Sequence, residues 1–183
     1  MPVISRFFES ERLEMAKEKL CQAFGIAALR EHQIKAGENT MSGINTLYDI
    51  PTGGSKTLAF WLPLFYHWEP GNTSRQSEKV VVVISSLNAL MDTQAKDLNN
   101  RGIPAIALNS ENGKPKDLFK VRVVSLVIDE AHCVSEWGND DSHPDYAEVG
   151  VPHIWFWNCL LCTPSAFPLL LCSHSLQFIG DRA

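Results

Sequence analysis

Basic charge is in short supply: the 183 residues carry 16 Lys and Arg against 21 Asp and Glu, a formal net charge of −5. That balance excludes a protein whose whole surface coats nucleic acid. It leaves room for a local basic groove, because binding follows where the charge sits. No internal repeat or low-complexity block is present, which sets aside solenoids and compositionally biased linkers. The opening residues, "MPVISRFFESERLEM", place charges where a secretory signal needs an apolar core. Together with five cysteines, an odd number, this points to a reducing compartment. Long uncharged runs are scarce as well. The exception, "IWFWNCLLCTPSAFPLLLC" (Ile154 to Cys172), has the 19-residue length of a membrane span. Two prolines, Asn158, Thr163 and Ser165 weaken it, and no membrane attachment is expected.

What is present is ordinary for a globular domain, 45% hydrophobic and 20% charged. "SERLEMAKEKLCQAFG" reads as a helix capped by Ser10 and stopped by Gly25, with Leu13, Ala16, Leu20 and Ala23 or Phe24 on one face. "NTLYDI" is a short strand that runs into "PTGGSKT", and "KTLAFWLPLFYHW" follows as a helix with Pro63 near its first turn. "KVVVVIS", from Lys79, is a β-branched run of the kind buried on both faces of a sheet. "NALMDTQAKDLNNRG" is a helix closed by Gly102, "IPAIALN" a short strand, and "VRVVSLVIDE" a buried strand ending in two acids. Strands alternating with helices predict a parallel, doubly wound α/β sheet. Ligands of such sheets sit at the carboxyl ends of the strands, where both "PTGGSKT" and Asp129-Glu130 fall.

A phosphate loop works because backbone N–H groups and a helix N-terminus converge on an anion, and glycines let the backbone come close. Thr52, Gly53, Gly54, Lys56 and Thr57 stand in that order between a strand and a helix. The strict G-x-x-x-x-G-K-[ST] pattern fails at both glycine positions, which hold Ile50 and Ser55. In "LVIDEAH", an aspartate ending a buried strand suits Mg²⁺, and the adjacent glutamate suits an attacking water. A glycine turn or an acidic strand end alone would be unremarkable; the two halves in the right order point to a nucleotide site.

These motifs resemble the first RecA-like lobe of the RecQ-family DNA helicases, DEAH-box members of superfamily 2, from about Leu20 to Tyr146. "FGIAALREHQ" resembles motif 0, "PTGGSKT" motif I, "VVVISSLNALMDTQAKDLNNRGIPAIALNS" motif Ia and its sequel, and "DEAHCVSEWGND" motif II with the start of the aromatic-rich loop. The resemblance implies a P-loop NTPase fold and ATP with Mg²⁺ as cofactors. It implies single-stranded DNA as partner, 3′-to-5′ unwinding, and a place in DNA repair and recombination. Gln33 would then contact adenine with Arg30 nearby. Thr52, Gly53, Gly54, Ser55, Lys56 and Thr57 would cradle phosphate. Thr57 and Asp129 would hold Mg²⁺, and Lys56 and Glu130 would be catalytic, Glu130 as general base. His132 would couple the ATP site to neighbouring motifs. Trp137 is open between a DNA-stacking role and a core role. The compartment implied is the nucleus in a eukaryote and otherwise the cytoplasm; the resemblance is silent on oligomeric state.

The departures are specific. Ser55 replaces a family glycine, and "ISSLNALM" lacks the proline usual in motif Ia. Only "ENGKPKDLFKVRVVS" separates Ser110 from motif II, so the motif Ib region reads as shortened, and neither motif III nor a second lobe is recognised. If Ser55 must adopt positive φ, serine costs about 1–3 kcal/mol in strain. That corresponds to roughly 5- to 150-fold weaker nucleotide binding. Residues 1–150 are read as the ATP-binding lobe, with 151–183 as an irregular hydrophobic tail. Cys159, Cys162, Cys172 and His174 have zinc-like spacing but sit among leucine, phenylalanine and proline, with few polar groups to orient ligands. The rival to an enzyme is a non-catalytic nucleotide- or DNA-binding remnant acting as an interaction module.

Overall fold

The computed structural model describes residues 9–51, 53–68, 72, 79–85, 88–108, 122–131, 159–163 and 177–180. Among them the helices are α1 (Ser10–Phe24), α2 (Glu31–Met41), α3 (Thr57–His67) and α4 (Asn88–Asn100). The strands are β1 (Thr46–Asp49), β2 (Lys79–Ile84), β3 (Arg122–Ile128), β4 (Cys159–Thr163) and β5 (Gln177–Gly180).

α1 buries Leu13, Ala16 and Leu20 and ends at Gly25, whose φ of 65° is left-handed and whose N–H reaches the carbonyls of Cys21 and Gln22. Ser10 does not cap it. It is the first helical residue, after Glu9, and there is no side-chain cap bond. The helix start is held from α3 instead: the Glu9 N–H donates to the Tyr66 hydroxyl at 3.0 Å, and Arg12 Nε donates to the Tyr66 carbonyl at 2.8 Å. α2 lacks an apolar stripe to announce it, because the side it buries is built from Gln33, Ala36, Gly37, Asn39, Thr40 and Met41. Gly37 is required there: a Cβ would lie 2.7 Å from Leu62 Cδ2, so α2 and α3 pack nearly backbone to side chain. α3 buries Ala59, Phe60, Trp61, Leu62 and Phe65 on nearly every side, as a helix enclosed between other helices and a sheet must. Pro63 falls in its second turn, not its first, and removes one i→i−4 bond from a buried helix.

The sheet is parallel throughout, in the order β2-β3-β4-β1-β5. The expectation of an irregular tail foreign to the sheet fails at two places. β4 lies between β3 and β1, pairing Leu126 with Cys159 on one side and Asp49 with Thr163 on the other. β5 lies on the far side of β1, with Asp49 opposite Gly180. The part of the 154–172 run that is described is therefore a strand, and among the described residues no helix is long and apolar enough to cross a membrane. "CLLCT" is four apolar residues and a threonine before a proline, a short run of strand length.

β2 corrects a second expectation. It is the last strand of the described sheet on its side, and all six of its residues are half-buried, not enclosed on both faces. Nor does "IPAIALN" form a strand over 103–108. Both backbone groups of Ala105 are taken by the Asn99 side chain, whose Nδ2 donates to the carbonyl at 2.8 Å and whose Oδ1 accepts from the N–H at 3.1 Å. That side chain supplies the two bonds a neighbouring strand would have made, and Ile106 is left 71% exposed. The core joins α1, α2, α3 and Leu98 of α4 to Tyr48 and Val127, with Val81 and Val83 packed against it. The alternate strand residues Leu126 and Ile128, with Leu47, Val82 and Ile84, gather around Ala131 in a smaller cluster. The described helices contribute to the first cluster, so the second winding of the expected doubly wound sheet has no counterpart among them.

Candidate nucleotide site

β1 delivers the chain through buried Ile50 into the loop that ends at Lys56, the residue before α3. Two glycines are needed for different reasons. Gly53 has φ 86°, and at Gly54 a Cβ would lie 2.3 Å from Ile50 Cγ2 and 3.0 Å from the Pro51 carbonyl. The Gly54 N–H closes the turn on that same carbonyl at 3.0 Å. Ser55, where the strict pattern has glycine, has φ 56°. The left-handed conformation that the strain depended on is therefore the one the chain adopts. α3 begins immediately after, with Thr57 as its first residue and no side-chain cap bond at its N-terminus. An uncapped helix start behind a glycine turn is the arrangement that suits an anion.

The loop is tied to α2. Gln33 is 1% exposed; its Oε1 accepts the Arg30 N–H at 2.8 Å, and its Nε2 donates to the Ser55 carbonyl at 2.9 Å. Arg30 lies farther off, with Nη1 3.5 Å from the Gly54 carbonyl on the exposed side. Sequence reasoning brought Gln33 and Arg30 to this place but missed what Gln33 holds, since nothing in "LREHQ" marks a bond to a carbonyl 22 residues away. Beneath the loop, Tyr48 of β1 is fully buried, with its hydroxyl against His32 Nδ1 of α2 at 2.5 Å.

The acids stand at the carboxyl end of β3, one strand removed from β1 across β4. Asp129 is 9% exposed; its N–H donates to the Ile84 carbonyl at 2.8 Å, joining the ends of β2 and β3. Its Oδ1 accepts the Glu130 N–H at 3.1 Å. Glu130 has φ 52°, so Ser55 and Glu130 are the two non-glycine residues with positive φ among the described residues. Backbone of this kind collects at functional sites, and here one instance falls in each half of the candidate site. Thr52, His132 and Trp137 lie outside the described residues. Lys56, Thr57, Asp129 and Glu130 all follow the carboxyl edge of one parallel sheet, where such folds hold ligands.

The parallel sheet with a glycine loop at its carboxyl edge is consistent with a RecA-like lobe, and residues 30–118 match the DEAD/DEAH box helicase family. The chain is 31% identical to the probable ATP-dependent DNA helicase RecS of Bacillus subtilis, over 73% of this chain and 31% of the relative. It is 30% identical to the ATP-dependent DNA helicase hus2/rqh1 of Schizosaccharomyces pombe, over 82% of this chain and 13% of the relative. With the ATP-dependent DNA helicase RecQ of Pasteurella multocida the identity is 29%, over 79% and 26%. The chain is thus similar to RecQ-family DEAD/DEAH box helicases over most of its length. It spans less than a third of the length of each of these relatives.

Proposed function

We propose that these residues bind Mg-ATP and single-stranded DNA as the ATP-binding lobe of a 3′-to-5′ DNA helicase. The observation that carries this reading is one sheet edge presenting both halves of the site: the left-handed loop running into α3 at Lys56 and Thr57, and the Asp129-Glu130 turn after β3. In it Lys56 neutralises the outer phosphates, Thr57 and Asp129 hold Mg²⁺, and Glu130 orients and deprotonates the attacking water. Bound Mg²⁺ would spread the charge that develops on the phosphates. Thr52 would complete the phosphate cradle, Gln33 and Arg30 would border the adenine, and His132 and Trp137 would carry the coupling to DNA.

Helicase motors of this class close an ATP site between two lobes, and an arginine supplied from outside the phosphate loop is worth on the order of 10³–10⁵ in rate. The 183 residues tested alone should therefore bind Mg-ATP but hydrolyse it near background and separate no strands. A second reading, a nucleotide- or DNA-binding module without turnover, draws on a specific observation. The RecS alignment runs over 163 positions yet covers 73% of this chain's 183 residues, about 134, so roughly 30 positions of the relative have no counterpart here. We place that difference between Ser110 and the strand end that carries the acids. The test is Mg-ATP titration of the chain and of Lys56→Ala. Binding by the parent and its loss in the variant supports the site; no binding by either leaves the loop a relic. Turnover stimulated by single-stranded DNA separates the enzyme from the module.

A further inference from the structure

We propose that Gln33, beyond any contact with the base, is a positioning residue for the phosphate loop: its amide holds Ser55 left-handed, and so raises affinity for phosphate through the loop. This rests on the loop being a Mg-ATP site. Serine at φ 56° needs support that glycine would not. The Ser55 carbonyl has two donors, the Leu58 N–H at 3.3 Å and Gln33 Nε2 at the shorter 2.9 Å. The amide cannot turn over without setting Nε2 against the Arg30 N–H and Oε1 against the Ser55 carbonyl, so both bonds fix one orientation. Gln33 is buried to 1% exposure on α2, and α2 is seated against α3 through the close Gly37–Leu62 approach. The clamp thus comes from the helix that packs on the one the loop leads into. It lies within the chain, so the cost of the left-handed serine falls on folding, and Gln33 is what keeps it there.

The experiment compares binding of Mg-ATP and of Mg-tripolyphosphate, which has no base, by the 183-residue chain, Gln33→Met, Ser55→Gly and the double variant. Methionine keeps the buried volume and removes the donor. Gln33→Met should weaken both ligands, the base-free one included, by roughly fivefold or more, the scale of one buried hydrogen bond. Ser55→Gly should restore most of that loss. A loss confined to Mg-ATP would make Gln33 a base reader and overturn the proposal, as would an equal loss with serine and with glycine. Amide hydrogen exchange separates this from failure of the site itself. Even if the parent binds neither ligand, Gln33→Met should speed exchange at Leu58, whose N–H shares the Ser55 carbonyl, while Ile103 stays unchanged. Unaltered exchange at Leu58 overturns the clamp.

Discussion

Ser55 and Glu130 adopt nearly the same backbone angle, φ 56° and 52°, by different means. Glu130 is held by the residue before it: the Asp129 carboxylate accepts the Glu130 N–H, a bond internal to a turn that the end of β3 starts. Ser55 is held from 22 residues away, by an amide on another helix. The Glu130 bond is therefore local to the turn, while Asp129 also joins the turn to the end of β2 through the Ile84 carbonyl. The loop has its shape only when α2 is docked, which makes the phosphate half of the site a product of tertiary packing. The more exposed of the two residues is thus the one more dependent on the rest of the fold.

The largest expected effect comes from breaking the loop side of that comparison where no clamp can compensate. Gly54→Ala drives a Cβ to 2.3 Å from Ile50 and 3.0 Å from the Pro51 carbonyl. Overpacking of this kind costs about 1–3 kcal/mol, which urea unfolding would read as a lowered midpoint at unchanged slope, and Mg-ATP binding should go with it. Full stability and full binding in Gly54→Ala would show that the loop is not built as described. Next in size are Ser55→Gly and Glu130→Gly. Relief of about 1–2 kcal/mol of left-handed strain is offset by glycine's extra freedom in the unfolded chain, about 0.4–1 kcal/mol. Each should gain up to about 1.5 kcal/mol. The two differ in what they couple to. Combined with Gln33→Met, Ser55→Gly should depart from additivity, whereas Glu130→Gly should add within about 0.5 kcal/mol. Coupling of equal size at both would erase the distinction between local and distant support.

Much of this was legible in the chain because the strongest signals are local. Gly25 and Gly102 stop their helices at φ 65° and 75°. Leu13, Ala16 and Leu20 form the face their spacing predicts, and Val123 to Ile128 form a strand that ends in the acids. What escaped depended on partners far away. α2 buries polar and small residues and so has no period to see. "IPAIALN" has strand composition, yet Asn99 takes the Ala105 backbone. β2 looks like an enclosed strand, but its position at the border of the described sheet is a matter of topology. "CLLCT" was visible as a run, and the apolar sequence around it hid that it belonged between β1 and β3. The order of the phosphate and acid halves could be read from the residues. The bond that keeps Ser55 in place could not, because it joins a side chain to a carbonyl, and carbonyls have no sequence.

The smallest expected effect sharpens the comparison from the side of α2. Arg30 also reaches toward the loop, but its Nη1 is 3.5 Å from the Gly54 carbonyl and lies in solvent. At that distance a hydrogen bond is marginal, and an exposed guanidinium is well satisfied by water. The contribution Arg30 makes to the clamp is its backbone N–H, which fixes the Gln33 amide and survives any substitution except proline. Arg30→Ala should therefore change affinity for Mg-ATP and for Mg-tripolyphosphate by less than about threefold, under about 0.7 kcal/mol, against the larger loss in Gln33→Met. A tenfold loss for both ligands would mean that the guanidinium holds the loop as firmly as the amide does, and that distance is a poor guide here. A tenfold loss for Mg-ATP alone would place Arg30 at the base, and α2 would then divide its work: one residue for the nucleoside, the next turn's glutamine for the loop that grips the phosphates.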